Sequence, residues 1–489
     1  MLSAVVVGAG FSGIAAGVTL RRAGITDFVI LEKADRVGGT WRENTYPGAA
    51  CDVPSHLYSF SFEKNPGWSR AYGAQPEILA YLERTAEKHG LRPHLKFGQA
   101  VTEARFDRDR WVVTTAKGER FEARALLLGN GALHIPSLPD IRGLDRFEGT
   151  QFHSAKWNHD YDLRGKRVAA IGTGASAIQF VPQIAPQVKE LHVFQRTAAW
   201  VVPKPDREIT AREKWAFEHV PGAHWLRRTS QYWKMESSVI GFAYAPKVLA
   251  LAEKLVVRHI AKQVRDPVLR KKLTPTYRLG CKRVLISNEW YPAMQRENVE
   301  LVTDGISEIT AKGVRTVDGR EREVDAIICG TGFKVSEYLS SIKVLGAGGV
   351  DLNDVWRKNL RNYLGITVSG FPNLFLLMGP NTGLGHNSMI FMIEAQARYA
   401  TQAIAGMREQ RVAAMDVRPE IEAAFKDELA RKMKGTVWMT GCTSWYQTPD
   451  GEVFLWPAAT FDYWWKTRRI DFAEYALTRE AIDVLPRAA

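Results

Sequence analysis

The sequence predicts an α/β fold in which two parallel-sheet units, each opened by a strand, a glycine turn and a helix, share one chain. Three observations predict it. An apolar run near the start ends in Gly8-Ala9-Gly10-Phe11-Ser12-Gly13, and a helix-forming stretch follows. The same arrangement returns at Gly172-Thr173-Gly174-Ala175-Ser176-Ala177. The chain has 489 residues, 45% hydrophobic and 24% charged, the balance of a globular protein with a large core. At roughly 100–200 residues per domain, this length excludes a single small binding module.

In the first unit, Leu2–Gly8 has a buried-strand pattern, the helical stretch runs to Arg22, and a second strand covers Phe28–Glu32. Glycines in this context allow the tight turn, close approach of a pyrophosphate to backbone N–H groups, and packing of helix on sheet. The helix then presents its positive dipole end to the phosphates. In the second unit, Arg167–Ile171 is the strand before the turn and Glu190–Gln195 the strand after the helix. Pro182 and Pro186 predict that this helix is short or kinked. The interval from Gly8 to Glu32 equals that from Gly172 to Arg196, so one slot carries a carboxylate in the first unit and a guanidinium in the second. A carboxylate suits a free ribose diol and repels a phosphate, whereas an arginine suits the 2′-phosphate of NADP. The units are therefore Rossmann-like dinucleotide-binding domains, the first read as taking FAD and the second NADPH.

Each unit is expected to close on a strand and a further glycine turn, Gly129-Asn130-Gly131 and Gly330-Thr331-Gly332. Prolines at 136 and 139 mark a linker. The expected layout is an FAD-binding domain over 1–143 and the first NADP-binding segment over 150–204. A Lys-, Arg- and Trp-rich helical insertion follows over 205–275, then the second NADP-binding segment over 276–334. A return to the FAD-binding domain occupies 335–489.

The formal charge of +13 admits nucleic acid, an anionic membrane or an anionic ligand as partner. A solvated surface with sites for phosphorylated cofactors accounts for it more simply. With no Lys/Arg run interleaved with aromatics, nucleic acid is not expected. No signal peptide is expected before Ala4–Val7, and the longest apolar candidate, Val239 to Leu255, is broken by Pro246 and Lys247, so no transmembrane segment is expected. Cys51, Cys281, Cys329 and Cys442 are far apart and read as reduced thiols of a cytoplasmic protein, and no metal site is expected.

NADPH beside a flavin means hydride transfer, after which the flavin must pass its electrons on. A disulfide recipient needs a close cysteine pair, which the sequence does not present; molecular oxygen is the other recipient. A simple NADPH oxidase and a non-enzymatic redox sensor are the remaining alternatives.

Gly39-Thr40-Trp41, followed after four residues by Tyr46-Pro47-Gly48-Ala49-Ala50-Cys51-Asp52, resembles the [A/G]GxWxxxx[F/Y]P[G/M]xxxD fingerprint of type I Baeyer–Villiger monooxygenases. The stretch from Phe147 through Gly149 and His153 to Trp157-Asn158 is similar to the family's second fingerprint, FxGxxxHxxxW[P/D], and departs from it at Asn158. The resemblance covers nearly the whole chain. It implies an enzyme that inserts one oxygen atom of O2 next to a ketone carbonyl, giving an ester or lactone. Trp157 favours this branch over the sister flavin-containing monooxygenases, whose oxygenation of nitrogen or sulfur is the alternative.

By position, the resemblance makes Arg283 the active-site arginine, which would stabilise an anionic peroxyflavin and its ketone adduct, and Asp52 the carboxylate that orients it. For FAD it implies Gly8, Gly10, Ser12 and Gly13 at the pyrophosphate and Glu32 with Lys33 at the ribose. It also implies Trp41, Asp52, Tyr58 and Met389 along the ring system and Val101 at the adenine. For NADP it implies Gly172, Gly174, Ser176, Ala177, Arg196, Thr197, Lys282 and Trp445. Tyr58, Met389 and Trp445 serve equally well as core residues. His153 is read as structural, and His386 as a pocket residue.

Overall fold

The computed structural model describes residues 1–479 apart from Tyr338, Thr443, Pro449 and Asp450; the end of the expected return segment, 480–489, lies outside the described residues. The strand Leu2–Val7 is Val-rich and almost fully buried, as a strand covered on both faces must be. It pairs in parallel with Phe28–Leu31 on one side and with Arg120–Leu128 on the other. Arg120–Leu128 is long enough to use its second edge twice. Its start pairs antiparallel with Arg110–Thr115, and its end pairs in parallel with Leu374–Leu376. The last third of the chain thus contributes a strand to the first sheet, and Lys343–Leu345 adds another at the edge beside Val101–Asp107.

Between these two visits the chain builds a second, five-stranded parallel sheet. Its order is Val299–Val302, Glu190–Phe194, Arg167–Ile171, Ala326–Cys329 and Thr150–His153. The helix after its glycine turn, Ala177–Ile184, contains Pro182 and stops before Pro186. By contrast, the corresponding first-unit helix, Phe11–Arg22, contains no proline and is half as long again.

Residues between the strands of the second sheet form the helices Ala211–His219, Ala223–Glu236, Leu249–Gln263 and Pro267–Leu273, with a π-helical turn at Ile240–Tyr244. Val256 and Ile260 bury against the second-unit core, together with Trp438 and Leu455 from the last third of the chain. Another core cluster joins the first strand and helix to the 21-residue helix Met389–Glu409 and to Tyr463 and Tyr475. No helix among the described residues is long and apolar enough to cross a membrane.

One sequence expectation is corrected here. Cys281 and Cys442 are joined in a disulfide with Cα atoms 6.2 Å apart, so only Cys51 and Cys329 are free thiols, both buried. The partners are 161 positions apart, and only the fold brings the 279–285 loop against the segment after Trp438.

Candidate active site

Both glycine turns open into one cleft of about 1680 Å³. A typical pocket for a single small ligand is roughly 300–1,000 Å³, so this cleft has room for more than one. At Gly8 φ is +93° and an added Cβ would lie 2.7 Å from the Gly129 carbonyl oxygen; at Gly172 φ is +105° and the distance to the Gly330 oxygen is 2.5 Å. Each first glycine therefore lets its turn press against the glycine that follows the unit's last central strand. Gly10 and Gly174 face the cleft instead. A Cβ at Gly174 would meet nothing within 4 Å, so the room there is left to a ligand. Ser12 and Ser176 also line the cleft, whereas Gly13 and Ala177 lie behind it. A Cβ on Gly13 would fall 1.8 Å from the Gly8 oxygen, and Ala177 is fully buried in the second-unit core, so both act by packing.

The two slots after the second strands differ sharply. Glu32 is buried and accepts hydrogen bonds from Ala9 N (2.8 Å) and Ala34 N (3.0 Å), and it pairs with Arg42 at 3.2 Å. Its carboxylate is thus fixed to the very turn that would hold the pyrophosphate, with Lys33 beside it at the cleft. Arg196 and Thr197 are exposed at the other end, and Lys282 comes up against them. Neither Arg196 nor Lys282 forms an ion pair among the described residues. Partial burial, and after it the neighbouring Arg196 guanidinium, pushes the Lys282 ammonium below the ordinary lysine range. Two cations facing one space, neither of them ion-paired among the described residues, suit a doubly charged anion.

The same cleft also holds an ion pair. Arg283 donates from Nε (3.0 Å) and Nη2 (2.5 Å) to a single oxygen, Oδ2 of Asp52, and both side chains stay partly open to the cleft. Asp52, outweighing the opposing effect of burial, holds the guanidinium even more firmly charged than usual. The Tyr446 ring is buried against this pair, and burial raises its hydroxyl pKa despite the nearby guanidinium. Trp41 donates from Nε1 to the Tyr58 hydroxyl at 3.2 Å, and burial pushes the Tyr58 phenol well up, so it stays neutral. Met389, the first residue of helix Met389–Glu409, faces the same space, as do Val101 at the outer end and the half-exposed Trp445 at the mouth.

Several functional contacts escaped the sequence reading. Gln179, on the short second-unit helix, accepts from the Tyr46 hydroxyl (2.9 Å) and donates to Ala50 O (3.0 Å), clasping the first unit. Gly48 has φ +79°, and an added Cβ would strike the Gln179 carbonyl at 2.9 Å and the Gln183 side chain at 2.8 Å. The Tyr-Pro-Gly part of the fingerprint is therefore a docking surface for the other unit. Arg42 was missed because nothing in its spacing points to Glu32. His386 is corrected: its side chain is fully buried, 3.6 Å from Glu236, and Asn387 is the neighbour that lines the cleft. His153 lies on an edge strand of the second sheet, where its Nδ1 accepts from Ala155 N (3.1 Å) and burial lowers its pKa. Trp157 packs edge-on against Phe152 and tilted against Phe180. Asn158 accepts from Asp160 N at 3.1 Å, a turn that an aspartate at this position could also make.

The comparisons with known proteins bear on this geometry. A family model described as pyridine nucleotide-disulphide oxidoreductase matches residues 5–221. A Baeyer-Villiger monooxygenase of Pseudomonas aeruginosa is 46% identical, the match covering 99% of this chain and 93% of that one. Among solved structures, cyclohexanone monooxygenase from Rhodococcus sp. Phi1 bound to NADP+ superimposes with a TM-score of 0.89 at 31% identity, covering 98% and 99% of the two chains. The complex of OTEMO with FAD and NADP reaches 0.89 at 27% identity, with the same coverage.

Proposed function

The chain belongs to the Baeyer–Villiger monooxygenases, and from that premise we propose which of its residues hold the cofactors and which act on the substrate. The enzyme uses FAD and NADPH to insert one oxygen atom of O2 next to a ketone carbonyl. When bound, FAD carries electrons from NADPH to O2 and so supplies the oxygen that is inserted.

The residues present fit both groups. Space at Gly10 and Gly174, backbone held close by Gly8 and Gly172, the buried carboxylate of Glu32 and the unpaired cations Arg196 and Lys282 support FAD in the first unit and NADPH in the second. Trp41, Tyr58 and Met389 flank the ring system, and Val101 offers backbone to the adenine. Thr197 and Trp445 close over the second dinucleotide. The NADPH requirement supports a cytoplasmic location.

One observation carries the mechanistic reading: Arg283 and Asp52 meet within the cleft that both glycine turns share. Arg283 stabilises the negative charge that develops on oxygen as the ketone carbonyl is attacked. Asp52 fixes the guanidinium plane by taking both of its near donors on one oxygen, which leaves Nη1 for the substrate side. Tyr446, buried against the pair, shields it from water on one side, which strengthens that electrostatic contact. Apolar walls at Leu384, Ile393, Phe454 and Leu455 support a predominantly apolar ketone.

The test is Arg283→Ala. The variant should bind FAD and bleach it with NADPH at near the wild-type rate, yet lose at least about 100-fold in ester formation, the effect of removing one preorganised oxyanion donor. Product masses from a ketone panel read the outcome, and undiminished ester would remove Arg283 from the mechanism.

A further inference from the structure

The exposed surface of the helical insertion has a composition that the cofactors and the reaction do not use. Trp225, Trp233, Ile240, Tyr244, Leu251 and Leu255 are each more than half exposed, and they follow one another along the helix Ala223–Glu236, the π-helical turn and the helix Leu249–Gln263. Leu251 and Leu255 are one helical turn apart and so share a face, which Arg258 and Lys262 continue. Two contacts extend the surface onto the helix Thr460–Thr467: the Tyr244 hydroxyl accepts from Ala459 N at 3.0 Å, and the Tyr232 hydroxyl meets Thr460 Oγ1 at 3.0 Å. That helix exposes Phe461 and Trp465, with the Arg468 guanidinium 3.3 Å above the Trp465 ring. Large apolar side chains exposed in succession along neighbouring elements point to an interaction surface.

Charge says what covers it. Residues 205–275 hold 14 Lys and Arg against seven Asp and Glu, more than half of the whole chain's surplus of 13. From residue 223 to 265 not one carboxylate is exposed. Glu236 is buried and bonded to Thr460 and Asn387, and Glu253 is held by Arg278 and Leu279 N. Lys234, Lys247, Lys254, Arg258, Lys262 and Arg265 are all exposed among the apolar residues. Protein–protein interface cores exclude lysine, and two copies of this face would repel each other. A bilayer suits the mixture: Trp and Tyr lie at the headgroup level, leucines enter the acyl boundary, and lysines reach back to lipid phosphates.

We propose that the insertion face, together with the helix Thr460–Thr467, docks peripherally on an anionic lipid surface. No helix among the described residues is long and apolar enough to span the bilayer, so the contact is at its surface. The face connects to the cleft at Asn387, which lines it and is bonded by both Glu236 and Thr460. An apolar ketone dissolved in lipid would then be concentrated beside the enzyme.

The test is co-sedimentation of the FAD-loaded, full-length protein with phosphatidylglycerol–phosphatidylcholine vesicles and with phosphatidylcholine vesicles alone. Wild-type protein should pellet with the anionic vesicles and be released by salt, because the attraction is screened. Leu251→Glu/Leu255→Glu should cut the bound fraction about tenfold or more. NADPH consumption with a water-soluble ketone should stay at the wild-type level, so failure of docking is read separately from failure of the catalytic assignment. Wild-type protein that remains in the supernatant, or equal binding of the double variant, would overturn the proposal. So would concentration-dependent dimerisation in light scattering that the double variant abolishes without vesicles, since the face would then be covered by a second copy.

Discussion

The slots that end at Glu32 and Arg196 occupy the same place in two related units and are built on opposite principles. Glu32 is buried, is hydrogen-bonded to its own glycine turn and has Arg42 behind it. Arg196 stands exposed beside Lys282, and neither forms an ion pair among the described residues. One slot is complete before a ligand arrives; the other is a pair of repelling cations that a phosphate relieves. On the proposed reading the difference is that between a resident prosthetic group and a reductant that comes and goes, and it comes from burial and pairing as much as from the sign of one side chain.

The strongest way to break this comparison is to fill each turn. Gly8→Ala should yield colourless protein, because its Cβ would meet the Gly129 oxygen at 2.7 Å from a backbone at φ +93°. Gly172→Ala, with an equally close Gly330 oxygen, should keep its yellow colour and lose reduction by NADPH. If both variants lost flavin, the two units would be coupled more tightly than their separate turns imply.

A smaller effect is expected at Arg196. Arg196→Ala should raise the KM for NADPH about 10–100-fold with little change in kcat, because charge-assisted hydrogen bonds contribute roughly 1.5–3 kcal/mol. NADH kinetics should hardly move, which identifies the phosphate as the group lost. Glu32→Gln tests the opposite slot. It keeps the shape but removes one of the two carboxylates that pair with the largely buried Arg42 side chain, so stability should fall by about 1–3 kcal/mol in thermal or denaturant unfolding, along with FAD retention.

The smallest effect is a titration. Lys282 loses its proton at a lower pH than an ordinary lysine, and its cation is present below that pKa and gone above it. The KM for NADPH should therefore climb on the alkaline side before a free lysine would titrate, and the climb should vanish in Lys282→Ala. Retention of FAD should show no matching change over that range.

Much of the architecture was legible because it is local. A strand, a glycine turn and a helix lie within about 20 residues in each unit, and the equal spacing to Glu32 and Arg196 follows from the same local geometry. The Arg283–Asp52 contact, 231 positions apart, was reached only through the fingerprint resemblance. Contacts with no local signature stayed hidden: Gln179 grips a segment more than 100 residues earlier, Arg42 finds Glu32 by folding back, and Cys281 meets Cys442 across most of the second half. His386 was assigned to the cleft and Asn387 was not, since adjacent loop residues point in directions that no periodicity predicts.

The Cys281–Cys442 bridge joins two segments that both line the cleft. Cys281 directly precedes Lys282 and Arg283, and Cys442 lies three residues before Trp445, so three residues that line the cleft are tied together by one covalent bond. On the proposed reading, a shift of Trp445 on exchange of the second dinucleotide would be passed through that bond to the loop bearing Arg283.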